Sequence, residues 1–177
     1  NTEAKNIITF QSCSKTYAMT GCRIGYLAGD EKLVKAISKL QGQSTSCPNS
    51  IAQHAAVEAL SGNQNCVNEM REVFHQRRDL ILKELDYIPG ISCEKPNGAF
   101  YVFPNFKNYL NSNPSNGPII KTSSDLSLYI LDSTGVVTVA GDSFGAPFNI
   151  RLSYATSDEN IIQACKLISR ALSELKN

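Results

Sequence analysis

No run of apolar residues in this chain approaches the roughly 20 needed to cross a bilayer. The start, Asn1-Thr2-Glu3-Ala4-Lys5-Asn6, carries no apolar signal region. A surplus of one charge is lacking too: 17 basic against 16 acidic side chains leave a formal net charge of +1. That balance gives no electrostatic reason to expect nucleic acid or a membrane surface as partner. No Cys-x-x-Cys pair occurs among Cys13, Cys22, Cys47, Cys66, Cys93 and Cys165, and His54 and His75 stand away from any cysteine cluster, so no metal site is expected. The chain is large for a disulfide framework and shows no secretory signs; reduced thiols in a cytoplasmic protein are the expectation. No internal repeat is present. What remains is 177 residues, 42% hydrophobic and 19% charged, the composition of a globular protein with a sizeable core.

The patterning alternates between strand and helix signals. Residues 7–11 read as a short buried strand, and Arg23–Gly29 as a second. Asp30 is placed to cap a helix with Leu33, Val34, Ile37 and Leu40 at helical spacing. Residues 41–49 read as a loop. Ser50 opens a further helix that Gly62 ends, and a longer, charged helix spans about 65–85, in which Arg77 and Arg78 read as a solvated face. After Pro89-Gly90, Ile91-Ser92-Cys93 and Phe100–Phe103 are strand-like, and residues 105–122 form a polar surface loop. Residues 125–131 are helical, and 136–140 and 149–154 are strands. The last helix, capped by Ser157 or Asp158, carries Ile161, Cys165, Ile168, Leu172 and Leu175 as one stripe.

One segment concentrates chemistry. Lys15 lies in the run Ser12-Cys13-Ser14-Lys15-Thr16, directly after the first apolar stretch, and Arg23 follows eight residues later. Two hydroxyls, an ammonium and a guanidinium suit an imine-forming amine beside a bound phosphate, because arginine and hydroxyls supply charge-assisted donors to a dianion. Far along the chain, Arg151 alternates with Ile150 and Leu152 and should face away from them. A guanidinium so placed can clamp a carboxylate bidentately; pairing with a structural acid is an equally good reading of Arg151 taken alone.

The spacing Ser12-x-Ser14-Lys15, with Gly21, Arg23 and Gly25, resembles the cofactor-lysine segment of class I aminotransferases that use pyridoxal 5'-phosphate. The likeness extends through Met19-Thr20-Gly21-x-Arg23-Ile24-Gly25-Tyr26, Gln43-Ser44-Thr45-Ser46, Ser50-Ile51-Ala52-Gln53, Gly98-Ala99-Phe100-Tyr101 and Leu152–Ser157, and is strongest to bacterial aspartate aminotransferases. One departure is Cys22, where tryptophan is usual; it should affect packing more than chemistry.

The resemblance implies an α/β fold. It would be the C-terminal part of the type I pyridoxal-phosphate transferase fold: last strands of the large-domain sheet (1–64), an interdomain helix (65–88) and a small α+β domain (89–177). It implies a Schiff base between pyridoxal phosphate and Lys15, phosphate ligation by Ser12 and Arg23 with Ser14 as a lesser donor, and substrate α-carboxylate binding by Arg151. The implied reaction moves an amino group from aspartate to 2-oxoglutarate in a homodimer, with amino acids and 2-oxo acids as partners. A prephenate or aromatic aminotransferase, and a non-catalytic dimerisation module, are the alternatives. The family's N-terminal half lies outside these 177 residues, so the chain alone is expected to be inactive. No lysine or arginine falls between Lys39 and Arg71, the region from which some aspartate-specific relatives draw a distal-carboxylate cation.

Overall fold

The computed structural model describes residues 7–115 and 117–175. By contact the chain divides into two compact units, Asn1–Met70 and Arg71–Asn177.

In the first unit, β1 (Thr9–Ser12) pairs antiparallel with β2 (Gly25–Ala28), Ser12 lying opposite Gly25. The close approach depends on glycine: a Cβ at Gly25 would lie 2.6 Å from the Gln11 carbonyl oxygen. All four residues of β1 are exposed, which corrects the reading of a buried strand. The physical reason is that β1 has a single neighbour, so apolar Phe10 has nothing laid across it among the described residues.

Between the strands come the one-turn helix α1 (Cys13–Thr16) and a 3-10 turn, Thr20–Cys22. Helix α2 (Glu31–Ser44) starts at Asp30, whose carboxylate accepts from Lys32 N and Leu33 N at 3.0 and 3.3 Å. It runs through Gln43 and Ser44, so the expected 41–49 loop shrinks to 45–49. Helix α3 (Ser50–Ser61) is capped by Asn49 and ends at Gly62. Its Ala52 and Ala56 pack on Cys13 and Ile24, with Tyr17, Met19 and Cys22 around them. Alanines let the helix settle directly onto the segment that carries Lys15.

Helix α4 (Asn65–Asp86) contains the unit boundary. In the second unit the sheet order is β3-β5-β4, from Tyr101–Val102, Ile150–Ser153 and Val139–Ala140, all antiparallel. The expected strand at Ile91–Cys93 is reduced to one bridge, Ser92 to Asn105. Helices α5 (Ser123–Thr134) and α6 (Asp158–Ser173) cover the sheet. Thr122 and Asp125 form a capping box on α5, and Ser157, not Asp158, caps α6. Leu126, Ile130, Ile150, Leu152, Ile161, Cys165, Ile168 and Leu172 make one core with Ile81 and Leu85. Complete burial of such aliphatic side chains contributes about 1.5–3 kcal/mol each.

Arg77 and Arg78 are not a solvated face. Their side chains are 26% and 14% exposed, with Nε atoms 3.4 Å from Asp158 and 2.9 Å from Asp79 respectively. The core beneath draws their aliphatic stems inward, and the acids meet the heads. All six cysteines are free. No helix of the described residues is long and apolar enough to cross a membrane.

Candidate functional site

In the first unit, the chain turns directly from β1 into α1. Ser12 is the hinge of that turn: its Oγ accepts from Ser14 N at 3.1 Å and donates to the Ile24 carbonyl at 3.5 Å. Cys13 N donates to the same carbonyl at 3.3 Å. These two bonds tie the end of β1 to the residue that follows Arg23. Arg23 has φ of 50°, and its Nη1 donates to the Thr20 carbonyl at 3.0 Å. A guanidinium has five N–H donors, so this bond leaves others for a ligand. Lys15 is the third residue of α1 and is exposed, as are Ser12 and Arg23.

The first unit thus brings Ser12, Lys15 and Arg23 to one end of the β1–β2 pair. A hydroxyl, an ammonium and a guanidinium make a donor set suited to an anion, and their composition fits a phosphate-bearing aldehyde. Backbone strain marks the same segment. Ala18 (φ 54°) and Arg23 occupy the left-handed region that non-glycine residues enter rarely, and Ala99 (φ 62°) does so in the second unit. Beside Arg23 lies a cavity of about 570 Å³ that Cys22, Thr45, Cys47 and Ala52 help to line.

In the second unit, Arg151 stands on β5 between Ile150 and Leu152, which are 0% and 6% exposed. Arg151 is half-buried on the opposite face, as the alternation requires. Its guanidinium carbon lies 4.4 Å from the Tyr101 ring centroid and 4.8 Å from that of Phe144. No carboxylate among the described residues forms an ion pair with it.

The sequence marks Tyr101 only within the Gly98–Tyr101 segment that resembles the family, as an aromatic strand residue, and does not single out Phe144. The usable signal was register: a residue opposite Ser153 shares the face of Arg151. The Tyr17 hydroxyl donates to Gln64 Oε1 at 3.1 Å. His54 and His75 lie exposed on α3 and α4.

Residues 2–168 match the family described as aminotransferase class I and II, and the chain belongs to that family. Enzymes of this family depend on pyridoxal phosphate. Among curated relatives, a probable aspartate/prephenate aminotransferase of Rhizobium leguminosarum bv. phaseoli is 47% identical over 163 residues, covering 92% of this chain and 41% of the relative. The crystal structure of the aspartate aminotransferase from Rhizobium meliloti superposes with a TM-score of 0.87 at 42% identity, over 96% of this chain and 42% of that one. An aromatic aminotransferase from Pyrococcus horikoshii OT3 gives 0.84 at 33% identity, over 96% and 44%. The chain spans about two fifths of the length of the curated relatives it matches. Its architecture is accordingly a part of the aminotransferase fold, consistent with the C-terminal part.

Proposed function

We propose that the whole protein carrying this sequence is a pyridoxal-phosphate-dependent aminotransferase. It moves the amino group of aspartate to 2-oxoglutarate and leaves oxaloacetate and glutamate. The observation that carries the reading is the grouping of Ser12, Lys15 and Arg23 at one end of the β1–β2 pair.

Bound pyridoxal phosphate supplies an aldehyde and an electron-withdrawing ring. Arg23 would hold its phosphate by charge-assisted hydrogen bonds through the N–H groups not bonded to Thr20, and Ser12 would join it by turning its hydroxyl from the Ile24 carbonyl, a 3.5 Å bond, toward the phosphate. Lys15 would be the amine that holds the cofactor at its aldehyde carbon. Its Nζ would then take the proton from the amino donor's α-carbon, pass it on within the same half of the exchange, and deliver a proton to the α-carbon of the 2-oxo acid in the other half. Arg151 would clamp the substrate α-carboxylate. Aspartate as donor is supported by the names of the relatives. A homodimer goes with the reading, supported by apolar side chains such as Leu40 and Ile51, 72% and 77% exposed in the first unit.

Borohydride reduction of the whole protein with pyridoxal phosphate, followed by peptide mapping, should find the cofactor on Lys15. Lys15→Ala should lower turnover about 10²–10⁴-fold. Full turnover by Lys15→Ala, or cofactor fixed to another lysine, would sink the assignment. Prephenate is the second substrate to test, because relatives in Rhizobium and Cereibacter carry that word in their names. Rates on aspartate, prephenate and tyrosine decide between them.

A further inference from the structure

The carboxylate reading of Arg151 asks only that a cation be present. The structure does more than that. Two rings reach the guanidinium from the two strands that flank β5: Tyr101 from β3, and Phe144 from the 3-10 turn Gly141–Phe144 that follows β4. Register accounts for the first. Tyr101 lies opposite Ser153, so it sits diagonally to Arg151 on one sheet face, within reach of a long side chain.

The second ring is placed by its backbone. A Cβ at Gly141 would lie 2.1 Å from the Ala146 carbonyl oxygen and 2.3 Å from that of Asn149, so the turn folds tightly against the start of β5. Asp142 fastens the same turn to α5. Its carboxylate accepts from Ser124 N and Ser124 Oγ at 3.2 and 3.0 Å, and its N–H donates to Ser123 Oγ at 3.1 Å. Phe103 then meets the Phe144 ring edge-on, with centroids 5.9 Å apart at 87°. Phe144 is 49% exposed, so it contributes little to the core, yet it is held on three counts. An exposed phenylalanine so constrained has its function in what it touches.

A ring against the guanidinium attracts the cation without using a single N–H donor. The in-plane donors remain at the edge. An arginine lacking such walls samples many rotamers, and their loss opposes the binding of each ligand.

We propose that Tyr101 and Phe144 are positioning residues for Arg151: they fix its guanidinium with the hydrogen-bonding edge free, and so set the affinity for the carboxylate of both amino-acid and 2-oxo-acid substrates. The inference rests on the reading of Arg151 as the substrate-carboxylate residue.

The test uses the whole, cofactor-loaded protein. The dissociation constant of succinate, a non-reacting carboxylate, is measured for Phe144→Leu, Phe144→Tyr and Arg151→Lys, alongside KM and kcat. Phe144→Leu should weaken succinate and raise KM for donor and acceptor about 5- to 20-fold, with kcat within about twofold. Phe144→Tyr, which keeps the ring, should bind as the parent does. If Phe144→Leu also lowers the melting temperature, Tyr101→Leu carries the same measurement from the other side of β5. Unchanged succinate affinity in Phe144→Leu, with Arg151→Lys impaired, overturns the positioning inference alone. Unchanged affinity in Arg151→Lys overturns the underlying reading and the inference with it.

Discussion

The Asp142 carboxylate accepts two hydrogen bonds from Ser124, one from the backbone N–H at 3.2 Å and one from the hydroxyl at 3.0 Å, across 18 residues of sequence. With the return bond from Asp142 N to Ser123 Oγ, it joins the turn that carries Phe144 to the first turn of α5. Charge-assisted bonds of this kind at a helix start are worth about 1–2 kcal/mol. Asp142→Ala should lower stability by about that amount, read as a lower denaturant midpoint with an unchanged slope. An unmoved midpoint would show that solvent replaces the latch at no cost.

Gly25 faces Ser12 across the β1–β2 pair, where a Cβ would stand 2.6 Å from the Gln11 carbonyl oxygen. Backbone on both sides leaves no side chain to give way. Gly25→Ala should therefore separate the strands and cost about 1–3 kcal/mol. Because Ser12 sits opposite, pyridoxal phosphate should also bind the whole protein more weakly. Gly21→Ala is the control, since a Cβ there meets nothing within 4 Å among the described residues. Equal stability of the two variants would refute the argument.

Asp79 is held by the Arg78 Nε at 2.9 Å and by the Lys95 Nζ at 3.0 Å. Hydrogen bonding to Arg78, then to Lys95, lowers its carboxyl from 3.8 to about 2. A depressed folded-state value stabilises the fold above the unfolded value. The contribution is complete above pH 3.8 and fades as pH falls toward 2. Exposure keeps the gain small. A carboxyl titration by NMR should give a midpoint near 2, and a midpoint at the ordinary aspartate value would contradict the bridging geometry.

The thiols should react in an order set by burial. Cys47 and Cys66 are exposed, whereas Cys13 and Cys165 are 1% and 4% exposed. Burial pushes the Cys165 thiol up to about 12, with Glu84 adding to the rise. Since the thiolate is the reactive form, Cys165 should label slowest of the exposed-to-buried series in the second unit, after Cys93. A raised folded value also stabilises the fold below the unfolded value of 9.0, and that gain is lost as pH rises from there toward about 12. Mass spectrometry after timed alkylation checks the order; early labelling of Cys165 would mean that α6 opens locally.

Much was legible along the chain. The Asp30 cap, the Gly62 stop and the Ile161–Leu172 stripe are local signals, and short-range bonds and 3.6-residue periodicity enforce them. The facing of Arg151 away from Ile150 and Leu152 follows from strand alternation, which no later packing can reverse without flipping the strand. Lys15, Ser12 and Arg23 were legible because their fixed spacing resembles a known family.

Burial and pairing were not legible in the same way. The sequence marks Ile7–Phe10 as apolar, but whether an apolar strand is covered depends on which neighbours lie over it, and β1 pairs only with β2 among the described residues. Arg77 and Arg78 look solvated until Asp158 and Asp79 come into reach. By itself the sequence determined the longer helices, the donor set at the end of β1 and the direction of Arg151, because those are set by neighbours in the chain. Only the tertiary structure decided that Tyr101 and Phe144 meet the guanidinium. Those contacts join Arg151 to a ring 50 positions away, through the register of β3 on β5, and to one 7 positions away, through a turn fastened to α5.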